Sequence, residues 1–176
     1  MGANGFTFGY LLLLCMLIIA VITDIRSHRI PNWLTFPAMI AGVGFNVILN
    51  GVAGLIFGVG GLLLGMGLLI IFYALGGMGA GDVKLMGAVG SIIGPQMVIW
   101  ATVYTALAGG IYAAGLLLFH PRLKDRRMAF AQALKNFILF RNFNYNKPIQ
   151  EQTVPKLCYA VAIASGAIMA VISKAV

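Results

Sequence analysis

Acidic residues are nearly missing from this chain. Of 176 residues only four are Asp or Glu, and charged residues of either sign make up 9%. A soluble domain devotes roughly 25% of its residues to charge, so this inventory cannot build a water-facing surface. Cysteine is as scarce: Cys15 and Cys158 stand singly in apolar runs with no CxxC spacing, which speaks against a zinc site and against a disulfide framework. His28 and His120 are the two histidines, and neither has a serine or cysteine in a triad-like setting. Without a Cys/His cluster, no metal is expected, and no cofactor either.

What remains is apolar. Hydrophobic residues make up 61% of the chain, and the mean hydropathy is +0.97. About 20 apolar residues cross the hydrocarbon core as a helix, so a chain of this length has room for six spans at most. The sequence divides accordingly into runs 6–23, 33–49, 52–75, 83–93, 97–119 and 154–172. The first run has no positive leading region and no small-residue cleavage site before Asp24, so it reads as a retained helix rather than a signal peptide. Pro31 suits the first turn of the second span, and Asn50-Gly51 makes a tight turn before the third. In the third, Gly54 and Gly58, then Gly61 and Gly65, fall at small-xxx-small spacing, which lets helix backbones approach closely in lipid. Gly94-Pro95 stops the short fourth helix.

The expected fold is therefore all-α and polytopic, one membrane-embedded domain over 1–176 with six transmembrane helices. The net charge of +8 does not point to nucleic acid, because the Lys and Arg residues fill gaps between apolar runs. Arg26, Arg29, Lys84, Arg122, Lys124, Arg126, Arg127, Lys135, Arg141, Lys147 and Lys156 fall after the first, third and fifth spans, whereas the other side holds only Lys174. By the positive-inside rule the first set is cytoplasmic and both termini face outward. Segment 120–153 is then a cytoplasmic basic loop. Within it Leu123, Phe130, Leu134, Phe137 and Ile138 share one helical face, as in an interfacial amphipathic helix drawn to anionic lipid.

Of the four acids, Asp125 and Glu151 lie in the basic loop, where local ion pairing accounts for them. Asp24 and Asp82 instead sit at the cytoplasmic edges of apolar spans, on one side of the membrane. Carboxylates near a bilayer are costly, which makes both candidates for function. At about 4 Å, with an effective dielectric near 20, two such charges repel by roughly 4 kcal/mol. That is about three pKa units, so one carboxyl keeps its proton while the other stays ionised. The ionised member can take a proton from water, and the protonated member can polarise a peptide carbonyl. This is aspartic-protease chemistry. Gly79 and Gly81, in Gly79-Ala80-Gly81-Asp82, leave room for a substrate backbone beside the acid.

Segments 24–35 (Asp-Ile-Arg-Ser-His-Arg-Ile-Pro-Asn-Trp-Leu-Thr) and 77–86 (Gly-Met-Gly-Ala-Gly-Asp-Val-Lys-Leu-Met) resemble the type IV prepilin peptidase family, which carries a G-x-G-D motif. The resemblance implies that Asp24 and Asp82 are the catalytic pair, with Gly79, Gly81 and Lys84 in the active-site loop that meets substrate. It also implies cleavage of the cytoplasmic leader of prepilin or pseudopilin precursors, after a glycine, in the bacterial inner membrane. Bifunctional members carry an N-terminal cytoplasmic region with paired CxxC motifs, linked to N-methylation, that this sequence lacks. The chain is accordingly similar to the short peptidase-only members, such as those serving tight-adherence (Flp) pili. Two other readings compete. Presenilin-type proteases pair G-x-G-D with Tyr-Asp, whereas Thr23 precedes the first Asp here. A small proton-coupled carrier would use the two Asp as a relay, but no internal repeat supports one.

Overall fold

A computed structural model of the chain describes residues 3–74, 77–119 and 158–175. The regular structure among them is helical: α1 (Ala3–Ser27), α2 (Asn32–Ala74), α3 (Ala80–Ile93), α4 (Pro95–Phe119) and α5 (Tyr159–Ala175). The chain divides into two compact units, Met1–Gly109 with Leu157–Val176, and Gly110–Lys156. In the second unit the described residues are 110–119, the last part of α4. The basic loop 120–153, with its amphipathic face and with Asp125 and Glu151, lies outside the described residues.

At about 1.5 Å per residue, the 43 residues of α2 would make a rod of roughly 65 Å, twice the ~30 Å hydrocarbon thickness. The helix does not run straight. Gly51 adopts φ 58° and ψ −133°, a conformation essentially reserved for glycine, and the arms 32–50 and 52–74 fold back on each other. The contact is close. A side chain on Gly54 would collide with the carbonyl of Asn46, and one on Gly58 would stand 3.1 Å from Val43 Cα. The turn read at Asn50-Gly51 is thus a break at a single residue.

Next along the same glycine stripe, Gly61 and Gly65 face α3 instead, where added side chains would strike the backbones of Gly90 and Met86. Backbones this close gain dispersion contacts, which drive helix association in lipid where the hydrophobic effect cannot. Asn46 adds a polar tie: its buried amide donates to the carbonyls of Gly42 and Ser91, at 3.0 Å each, so the first arm is bonded to α3. Leaving that amide unpaired in an apolar core would cost about 1–3 kcal/mol.

Helix α3 is the centre of this unit. Leu85, Met86, Ala88 and Val89 are wholly buried, and every residue from Asp82 to Ile93 except Lys84 is buried. A helix that is apolar all round belongs in such a position. It stops at Gly94 (φ 83°), whose N–H donates to the Gly90 carbonyl at 2.8 Å, and Pro95 opens α4 at once. Helix α1 packs on α2, α3 and α5, and α3 also packs on α5. Gly166 lets α5 approach Ala101 and Thr105 of α4.

The outer faces are apolar as well. Ile18, Ile22, Ile40, Ile48, Val52, Leu63 and Ile71 all point away from the core and are exposed. Water would penalise so continuous an apolar surface, whereas lipid accommodates it. Phe8–Ser27 and Asn32–Ala74 are both long and apolar enough to cross a membrane. This is a membrane protein with an all-helical fold.

Candidate active site

Helix α1 ends one turn after Asp24. Ser27 Oγ donates to the Thr23 carbonyl at 2.7 Å, and His28 turns into the left-handed region at φ 48°. The His28 N–H then donates back to the Asp24 carbonyl at 2.8 Å, which closes the helix with the usual single back-bond of a left-handed cap. On α3, Gly79 is the N-cap and Asp82 the third helical residue. The Asp82 N–H donates to the Gly79 carbonyl at 3.1 Å, and Asp82 Oδ2 accepts the Gly79 N–H at 2.9 Å. A carboxylate in a first turn is favoured by the helix dipole. The helix therefore begins at Ala80, three residues earlier than the apolar run 83–93 indicates, because this cap can form there.

The C-terminal end of α1, the N-terminal ends of α3 and α5 and the connection 28–31 meet at one end of the packed helices. Asp24 Oδ2 accepts the N–H of Ala160 at 3.1 Å, one of the donors that the first turn of α5 cannot satisfy internally. Each aspartate is thus held by an N–H at the start of a helix, Asp82 by its own and Asp24 by that of α5. Both are buried, at 5% and 7% exposure. Asp82 lies at the edge of α3, one residue ahead of the apolar run 83–93. Burial raises its carboxyl well above the usual range, to about 6. The Gly79 N–H opposes that shift, and the charge of Asp24 adds to it. The two carboxyls therefore lie near enough for the charge of Asp24 to act on Asp82.

The remaining expected site residues surround Asp82 in different ways. A side chain on Gly79 would stand 3.3 Å from Asp82 Oδ2, and one on Gly81 would stand 3.1 Å from Cβ of Ile30. Gly81 therefore faces the connection between α1 and α2. Lys84 turns toward the start of α2, where its ammonium donates to Asn32 Oδ1 at 2.9 Å. Two neighbours were not singled out from sequence. Cys158 Sγ lies 3.5 Å from His28 Nδ1, and Ala160 supplies the N–H to Asp24. More than a hundred residues separate the partners in each pair, and no local pattern signals such pairings. Among the described residues, no group of three His, Cys, Asp or Glu side chains is placed to hold a metal.

Residues 11–114, which include both aspartates, match the family described as Type IV leader peptidase family. The prepilin leader peptidase/N-methyltransferase of Bacillus subtilis (strain 168) is 29% identical over 122 residues, covering 68% of this chain and 48% of that protein. The protein of the same name from Aeromonas salmonicida (strain A449) is 30% identical over 134 residues, covering 73% of this chain and 46% of that protein. The chain spans about half the length of these curated relatives. No solved structure matches it significantly.

Proposed function

The chain belongs to the Type IV leader peptidase family, and from that premise we propose that it is a membrane aspartic endopeptidase. Its substrates are type IV prepilin-like precursors, including pseudopilins, whose leader it cuts at the cytoplasmic face of the bacterial inner membrane. The observation that carries this reading is the pairing of Asp24 and Asp82. They are buried carboxyls from different helices, each braced by a helix-terminal N–H and one acting electrostatically on the other. Counting the two arms of α2 separately, the described residues form six helical stretches, in keeping with six spans. With six spans, the sequence would put Lys and Arg on the side of the aspartates almost throughout, which supports a cytoplasmic site and outward-facing termini.

In this mechanism one carboxylate takes a proton from a water molecule, which attacks the carbonyl carbon of the scissile bond. The protonated partner donates to the carbonyl oxygen as negative charge develops on it. The proton gained by the first carboxylate then passes to the departing amine, the C–N bond breaks, and the carbonyl re-forms as its oxygen returns a proton to the partner, which restores the pair. No side chain forms a covalent intermediate, and neither metal nor cofactor takes part. The braces on both acids matter because a shift of about 1 Å at a reacting group can cost a hundredfold in rate.

The test is direct. The purified chain in detergent, given a prepilin-like precursor, should release a leader ending in glycine and a product starting at the next residue, both identified by mass. An intact precursor, under conditions where the chain is folded, would refute the proposal.

A further inference from the structure

Lys84 stands two positions after Asp82 on α3, a spacing at which helical side chains do not face each other. Its Nζ donates to Asn32 Oδ1 at 2.9 Å and lies 5.1 Å from the ring centroid of Phe36. Asn32 is the first residue of α2, and Phe36 lies one turn further along. A cation over an aromatic face is attracted by the ring quadrupole, so two residues of one helical turn hold the ammonium of another helix. On the adjacent turn of α3, Gly81 meets Ile30. The chain between these contacts is short. From Asp24 it passes through the left-handed His28 and the connection 28–31 to Asn32 and Phe36. Lys84 thus ties the helix bearing Asp82 to the segment that continues from Asp24.

We propose that Lys84, Asn32 and Phe36 form a clamp that sets the position of Asp82 relative to Asp24. Lys84 is then a positioning residue rather than the substrate contact expected from sequence. The inference rests on the peptidase reading above. A clamp of this kind acts on geometry: the polar contact is solvent-exposed, so its contribution to stability is small, whereas a displaced carboxyl slows the chemical step without weakening substrate binding.

The experiment is a double-mutant cycle on the purified full chain, with kcat and KM measured on a prepilin-like precursor and melting followed in the same detergent. Lys84→Met keeps the apolar stem and removes the donor, and Asn32→Ala removes the acceptor. Each should lower kcat roughly tenfold with KM changed less than about twofold. The double variant should lose the same roughly tenfold, since the second change finds nothing left to break. Lys84→Arg keeps a donor and a cation for the ring and should restore kcat to within about threefold of wild type. All variants should melt near the wild-type temperature. A multiplicative, roughly hundredfold loss in the double variant overturns the clamp. So does a raised KM in Lys84→Met that Asn32→Ala does not share. If Lys84→Met does not fold, Asn32→Ala alone decides, and a wild-type kcat in it overturns the clamp. Failure of the underlying reading looks different: a folded wild type that leaves the precursor intact, or an Asp24→Asn variant that still cleaves it, removes the peptidase assignment and the clamp with it.

Discussion

At one end of the packed helices the chain turns at Gly51 and again at Gly94, both with positive φ, and backbone alone does the work. Gly94 bonds to the Gly90 carbonyl and sits where a side chain would strike the ring of Phe57. At the other end the chain turns through 28–31 and 77–79, and side chains take over: Asp24 and Asp82 are buried there, with His28, Cys158 and the Lys84–Asn32 contact around them. The first end needs only to reverse the chain tightly. The second holds two carboxyls away from water, which works against stability unless function requires it. Stability and chemistry are therefore expected to respond to substitution at opposite ends of the molecule.

The largest expected effect falls at the aspartate end. Asp24→Asn and Asp82→Asn should each lower precursor cleavage by about a thousandfold or more while the proteins stay folded and inserted. Gly51→Ala should do the reverse. It meets no neighbouring atoms but is strained by its backbone angles, so it should lower stability by about 1–3 kcal/mol and leave kcat/KM near wild type. Comparable loss of cleavage in Gly51→Ala would erase the distinction between the two ends.

Gly81→Val should remove most activity and also lower the melting temperature, because its side chain would press on Ile30. Gly79→Ala should be milder, since its methyl group would stand 3.3 Å from Asp82 Oδ2 and 3.9 Å from the Gly81 nitrogen. An inactive Gly81→Val protein that melts like wild type would instead favour close approach of the substrate backbone at that glycine.

A smaller effect concerns pH. The folded pKa of Asp82 is raised, so its protonated form is favoured in the fold. Its contribution to stability is full below the ordinary carboxyl value and is lost as pH rises through about 6. Asp82→Asn resembles the protonated form. It should melt higher than wild type at pH 8, with the difference closing as pH falls toward about 4. A difference that is constant across this range would contradict the burial argument. The smallest expected effect is that of chelation: EDTA should leave cleavage unchanged, and activity that is lost and then restored by zinc would overturn a metal-independent mechanism.

Much of this arrangement was readable in the residues. Gly51 and Gly94-Pro95 announced their turns because glycine at positive φ and proline at a helix start are local requirements. Asp24 and Asp82 stood out because acids are so scarce in an apolar chain. The glycine stripe of the third run was legible as a packing surface, but not its partners: Gly54 meets its own hairpin, Gly58 meets both the hairpin and α3, and Gly61 and Gly65 meet α3. The bond from Ala160 to Asp24 and the contact of Cys158 with His28 depend on tertiary packing alone. Even Lys84 was legible only in part. Its place beside the G-x-G-D motif suggested substrate, while its contacts lead to Asn32 and Phe36.

The central claim is that Asp24 and Asp82 act as one electrostatic unit. Isotope-edited infrared spectroscopy of the Asp82 carboxyl, titrated in the wild type and in Asp24→Asn, tests it most directly. The account predicts a wild-type midpoint near 6 that moves lower once the neighbouring charge is gone. A midpoint unchanged by Asp24→Asn would mean that the two aspartates do not form a pair.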